Sequence, residues 1–153
     1  MSKLDDRLSE LGLTIPEVAK PVAAYVPAIV TGNLVYTSGQ LPFADGALPA
    51  VGKVGGAVSA EVAKQLAGNC VLNALAAVKS AIGSLDRVTR IVKLVGFVAS
   101  EPSFTGQSGV VNGASELLGS LFGEAGHHAR SSVGVAALPL DSPVEVELIV
   151  EFA

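Results

Sequence analysis

The sequence predicts an α+β domain built as a two-layer sandwich, a mixed β-sheet with two helices packed on one face. Three observations predict it. β-branched runs at 29–40, 88–98 and 128–149 alternate with two segments carrying helical apolar stripes, at 59–82 and 110–122. The resulting order, β-β-α-β-α-β-β, separates strands by single amphipathic helices, and such helices bury their stripes most economically on one side of a sheet. Half of the 153 residues are hydrophobic, and no repeat or linker marks a second unit. We expect residues 1–21 to form an N-terminal helix and extended appendage, and 22–153 to form the single domain.

Each element has its own signal. Leu4, Leu8 and Leu11 are spaced as one helical face, which Gly12 and Pro16 end. Prolines 16, 21 and 27 keep the next stretch extended. The run Ile29–Gln40 reads as two strands around a Gly32-Asn33 turn, ending at Ser38 and Gly39. Residues 42–57, with four glycines, read as a long loop suited to binding or partial mobility.

Ser59 is an N-cap with Glu61 in the first turn, and Val71, Leu75, Val78 and Ile82 follow at helical spacing before the stop at Gly83. The strand 88–98 is apolar on both faces, which predicts an internal position. A polar loop around Pro102 leads to a helix at 110–122 with Val111, Ala114, Leu118 and Leu121 on one stripe. The chain closes with two strands joined by a proline-bearing turn. An antiparallel return there would bring Arg130 and Glu145 to one end of the sheet.

Composition excludes several functions. Ten basic against fourteen acidic residues give a net charge of −4, without the cationic footprint that nucleic-acid binding needs. No stretch has the length and apolarity of a membrane span, and MSKLDDRLSELG has no signal-peptide core, so a cytoplasmic protein is expected. The lone Cys70 lies in the apolar run 66–72 and reads as a buried structural thiol. There is no G-x-S-x-G elbow, no phosphate-binding glycine motif and no metal-ligand cluster, and the adjacent His127 and His128 make a poor ligand pair. No cofactor or metal is expected.

A polar set in apolar surroundings remains: Tyr25, Ser38, Asn112, Arg130 and Glu145. Taken one at a time, each has an ordinary structural role. Tyr25 covers core, Ser38 ends a strand, Asn112 ties a helix turn, and Arg130 pairs with Glu145 or Glu147. The other reading is a shared site for a small carboxylate, since a guanidinium is a two-pronged carboxylate anchor, but spacing alone favours the separate structural roles.

Several segments carry a family likeness: Tyr25-Val26, Thr37-Ser-Gly-Gln-Leu-Pro42, Gly96-Phe-Val98, Asn112, Ala129-Arg-Ser-Ser-Val133, Leu138-Pro139 and Val144-Glu-Val-Glu147. With these the chain resembles the RidA (YjgF/YER057c/UK114) family, historically called endoribonuclease L-PSP-like. The likeness runs from about residue 22 to the end. It is greatest to a longer branch with an N-terminal extension and a Val-Asn-Gly-Ala-Ser motif, here Val111–Ser115.

The resemblance implies a chorismate-mutase-like fold and a homotrimer with small-molecule clefts between subunits. It implies hydrolysis of reactive 2-imino or enamine acids to 2-keto acids and ammonia, with no cofactor. Residue by residue, it implies Arg130 as carboxylate anchor, Glu145 beside the attacking water, and Tyr25, Ser38, Gly39, Asn112 and Ser132 around the ligand. Ser132 stands where the best-known deaminases often carry cysteine, and Ala23-Ala24 replaces a Gly-Pro, so the pocket wall differs from theirs. The alternative is a trimeric metabolite-binding or protein-protecting module without turnover.

Overall fold

The computed structural model describes residues 2–21 and 23–153. The domain boundary expected at residue 22 lies outside the described residues. Helix α1 (Lys3–Glu10) opens on a capping box: Asp5 N–H donates to Ser2 Oγ at 3.1 Å, and Ser2 N–H donates to the Asp5 carboxylate at 3.3 Å. Leu4 and Leu8 are buried in the main hydrophobic cluster, so this helix is docked on the rest of the chain. Leu11, the third residue of the expected stripe, falls on the C-cap and is exposed, because the helix stops at Glu10, just before it.

Five strands form one sheet: β1 (Ala28–Thr31), β2 (Leu34–Thr37), β3 (Val88–Ala99), β4 (Ala129–Val135) and β5 (Val144–Phe152), in the order β1-β2-β5-β3-β4. The β1–β2 hairpin turns at Gly32, whose φ of 58° suits glycine. β3 is internal, as its apolar character predicts, with β5 antiparallel on one edge and β4 parallel on the other.

That arrangement corrects one expectation. β4 and β5 do not pair with each other; β3 lies between them. The connection 136–143, with Leu140 and Asp141 at positive φ, carries the chain across the end of β3 rather than back along β4.

Helices α2 (Ala60–Ile82) and α3 (Gln107–Phe122) cover one face of the sheet. Ser59 Oγ caps α2 by accepting from Val62 N–H at 3.2 Å, and Gly83, at φ 87°, ends it. Val71, Leu75, Val78 and Ile82 are buried against the sheet, as are Val111, Ala114, Leu118 and Leu121 of α3. α3 begins three residues earlier than its stripe predicts, because Gln107 folds its amide back to Phe104 O at 2.7 Å and Ser100 Oγ at 3.2 Å.

The loop 42–57 is anchored at its C-terminal end. Val54 is fully buried, donates to Ala99 O at 2.8 Å and accepts from Glu101 N–H at 3.0 Å. Cys70 is buried with its sulfur 3.9 Å from Val144 O. Burial, and secondarily repulsion from Glu145, pushes its thiol well above the ordinary range, which suits a structural and unreactive cysteine.

Candidate functional site

The predicted site residues fall into two groups on opposite faces of the sheet. The strand registers require this. Arg130 lies beside Leu94 and Glu145 beside Phe97, three residues apart along β3, and side chains alternate with period two. Leu94 points into the helix-covered core, so Arg130 shares the helical face; Glu145 lies on the helix-free face.

Arg130 therefore reaches α3. Its Nη1 donates to Asn112 Oδ1 at 2.8 Å and to Ser115 Oγ at 3.2 Å, while Nη2 reaches Ser108 O at 3.4 Å. Asn112 and Ser115, three apart on the helix, present their polar atoms to the same spot. Every one of these acceptors is neutral. The structural pairing of Arg130 with Glu145 or Glu147 does not form; among the described residues the single ion pair is Lys64–Glu116, at 3.2 Å between α2 and α3. Two residues along the same face of β4, Ser132 Oγ is buried and has no hydrogen-bond partner among the described residues.

The second group gathers where β2 ends against β5. Ser38 Oγ donates to Val26 O at 2.6 Å and its N–H to Pro27 O at 2.8 Å, tying the strand end to the segment that carries Tyr25. Gln40 pairs through its backbone with Val146, at 2.8 and 3.0 Å. Gly39 lies between them, where a Cβ would come within 2.9 Å of Glu145 Cδ, so any larger residue would push that carboxyl group from its place. Burial, then repulsion from Glu147, holds Glu145 above its ordinary pKa of 4.5. Tyr25 and Gly39 border a cavity of about 550 Å³ that also touches Pro21, Phe43 and Leu140. Within one chain, therefore, Arg130 and Glu145 are held apart, each without an oppositely charged partner among the described residues.

The helix-free face that holds Glu145 carries an apolar patch, with Lys93 and Glu147 beside it. Val95, Phe97 and Ile149 line its middle, while Ile29, Tyr36 and Val133 are 61%, 41% and 42% exposed. An exposed sheet face of this kind is what a protein association surface looks like. Among the described residues, no group of three or more His, Cys, Asp or Glu is placed to hold a metal, and no helix is long and apolar enough to cross a membrane.

Ser115 and His128 belong to the Arg130 cluster, and the sequence reading gave neither a place in it. His128 Nε2 lies 2.9 Å from Ser115 Oγ and its Nδ1 2.6 Å from Gly126 O. The signal for Ser115 was present as the i+3 neighbour of Asn112, and for His128 as the i−2 neighbour of Arg130. The parallel β3–β4 pairing that stacks them under α3 was not.

The profile of the family described as "YjgF/chorismate_mutase-like, putative endoribonuclease" matches residues 5–152. Protein TCP17 of Trypanosoma cruzi is 44% identical over 145 residues, covering 94% of this chain and 91% of that protein. The crystal structure of Atu1372 from Agrobacterium tumefaciens superposes with a TM-score of 0.92 at 45% identity, covering 99% of this chain and 93% of that one. E. coli TdcF, solved with bound serine, has a TM-score of 0.64 at 25% identity, covering 90% of this chain and 94% of that one.

Proposed function

The chain belongs to the YjgF/chorismate mutase-like family, and from that premise we propose that it hydrolyses reactive 2-imino acids to 2-keto acids and ammonia, in clefts between the subunits of a homotrimer. The observation that carries the proposal is the separation of Arg130 and Glu145 onto opposite faces of one sheet, each held in place by its own surroundings. A neighbouring copy packed on the helix-free face supplies the missing half of each site. The serine held by TdcF supports a small amino-acid-like carboxylate as ligand.

The chemistry needs little more than placement. Arg130 grips the carboxylate, with Ser132 Oγ beside it as a further polar contact. A water next to Glu145 adds its oxygen to C2 of the imine and gives its proton to the Glu145 carboxylate. That proton passes to the imine nitrogen, giving a carbinolamine; the carbinolamine's hydroxyl proton then reaches the nitrogen through the same carboxylate, the C–N bond breaks, and ammonia leaves as C2 becomes a ketone. A carboxyl group whose pKa is raised exchanges this proton more evenly near neutral pH than an ordinary glutamate does. Hydrolysis of an imine is intrinsically easy, so orientation and charge complementarity supply most of the acceleration.

The test generates 2-iminopropanoate in situ with an amino-acid oxidase and traps free imine with semicarbazide. The protein should lower the trapped fraction, and Arg130→Ala should not. Ligand binding that needs Arg130 without any fall in trapped imine would favour the metabolite-binding alternative. Light scattering should give three times the 15.4 kDa chain mass; a monomer at micromolar concentration refutes the shared cleft.

Glu145→Gln separates catalysis from stability. A folded-state pKa raised above 4.5 means that, in the window above that value, the native chain holds a proton the unfolded chain has released. The stabilising contribution is present below the ordinary carboxylate range and is lost as pH rises through the raised value. Glutamine removes the charge whose desolvation causes that loss. We expect hydrolysis to fall by about 10²–10⁴, the usual worth of a general acid–base group. Melting temperature at neutral pH should rise, and its decline between acidic and neutral pH should flatten.

A further inference from the structure

We infer that Ser115 and His128 are positioning residues for Arg130: a one-way chain of hydrogen bonds from guanidinium through serine to histidine fixes which edge of the arginine meets a carboxylate. The inference rests on the reading of Arg130 as a carboxylate anchor and adds two residues to it.

The direction of every bond in the chain follows from chemistry. The Gly126 carbonyl can only accept, so at 2.6 Å the proton of the neutral His128 ring is on Nδ1. Its Nε2 then carries a lone pair, and Ser115 Oγ, 2.9 Å away, must donate to it. With its hydrogen committed, the serine oxygen turns a lone pair to Arg130 Nη1 at 3.2 Å. The other Nη1 hydrogen goes to Asn112 Oδ1 at 2.8 Å. Since a guanidinium has no acceptor, the amide must present oxygen there.

Both Nη1 hydrogens are thereby taken by neutral oxygens, and one Nη2 hydrogen leans toward Ser108 O at 3.4 Å. What remains is the edge formed by Nε–H and the second Nη2 hydrogen, neither of which meets an acceptor among the described residues. These two donors are parallel and spaced to grip both oxygens of one carboxylate. The cluster also leaves the charge of Arg130 uncompensated. A carboxylate or other planar monoanion is thus taken side-on, in one orientation.

His128 acts at a distance, through the serine. Without an acceptor at Nε2, the Ser115 hydroxyl is free to turn to a carbonyl of its own helix one turn back, as helical serines commonly do. Its lone pair then leaves Nη1, and the guanidinium gains a rotation that costs it the side-on geometry.

Two measurements test this. The first needs neither ligand nor variant: a long-range ¹H–¹⁵N spectrum of the free protein reports the tautomer of His128. Nδ1–H is expected, and an Nε2–H tautomer overturns the chain. The second is titration with pyruvate. Ser115→Ala and His128→Leu should each weaken binding roughly tenfold, the worth of one hydrogen bond to a charged group. The double variant should be no weaker than either single one, since both break the same chain. His128→Gln, whose side-chain oxygen can accept from Ser115, should recover most of the loss.

Independent structural roles would instead give additive losses and no recovery with glutamine, which overturns the inference. So does wild-type affinity in both single variants while Arg130→Ala still abolishes binding. If Arg130→Ala itself binds pyruvate like the wild type, the carboxylate-anchor reading fails and takes this inference with it.

Discussion

Arg130→Lys is expected to weaken 2-keto acid binding nearly as much as Arg130→Ala, by roughly ten- to hundredfold, while leaving the melting temperature almost unchanged. Charge-assisted hydrogen bonds of this kind are worth about 1.5–3 kcal/mol. Lysine keeps the charge but loses the planar pair of donors on Nε and Nη2. It also cannot satisfy Asn112, Ser115 and Ser108 from fixed positions, so its ammonium has no defined place in the cleft. Stability is spared because the partners of Arg130 are neutral groups of α3 and Arg130 itself lies on the edge strand β4. Had Arg130 been the mate of a buried glutamate, alanine would have cost about 3–5 kcal/mol and lysine little. Calorimetric titration and thermal denaturation of both variants check the prediction, and a lysine variant with unchanged affinity contradicts it.

Gly113→Ala should produce the largest loss of stability for the smallest chemical change. In an exposed helix this substitution is favourable by about 0.5–1 kcal/mol. Here the new methyl would collide with the backbone oxygen of Lys64 and lie 2.8 Å from its carbonyl carbon, where α3 crosses α2. Backbone cannot swing aside as a side chain does, so the two helices must part, at a cost of about 1–3 kcal/mol. The net effect should be a fall in melting temperature of several degrees. Gly119→Ala is the control: it lies on the same helix, nothing stands within 4 Å of its added carbon, and it should stabilise. Equal effects at the two positions would mean that the helix crossing is looser than described.

Local signals account for most of the architecture. The cap at Ser59, the stop at Gly83, the stripes of α2 and α3 and the Gly32 turn each depend on a few neighbouring residues, and the structure has all of them. The alternation of strand runs and helical stripes made the α+β sandwich legible too, while family membership was legible for a different reason, specific segments such as Thr37–Pro42 and the run from Ala129 to Glu147.

What the sequence does not encode locally is which edge of β3 each terminal strand takes. Arg130-Ser-Ser-Val and Val144-Glu-Val-Glu read equally well as a hairpin. Both edges of β3 accept strands, and one chain fills both, which places the arginine and the glutamate on opposite faces. The same choice packs Arg130 under α3, so its companions Ser115 and His128 emerge only in three dimensions. The raised pKa of Glu145 was equally out of reach, since it depends on the Gly39 strand end closing over it and on Glu147 two residues along.

The central claim is that one copy's Arg130 works with another copy's Glu145, and mixing two dead variants tests it most directly. Arg130→Ala and Glu145→Gln should each lack imine hydrolysis when assembled alone. Unfolded together in equal amounts and reassembled, they form mixed rings in which some clefts join an intact Arg130 to an intact Glu145. Random assembly of a cyclic trimer gives such a pairing in about one cleft in four, so roughly a quarter of wild-type activity should return in the semicarbazide assay. No recovery from mixtures that have verifiably reassembled as trimers would contradict the claim.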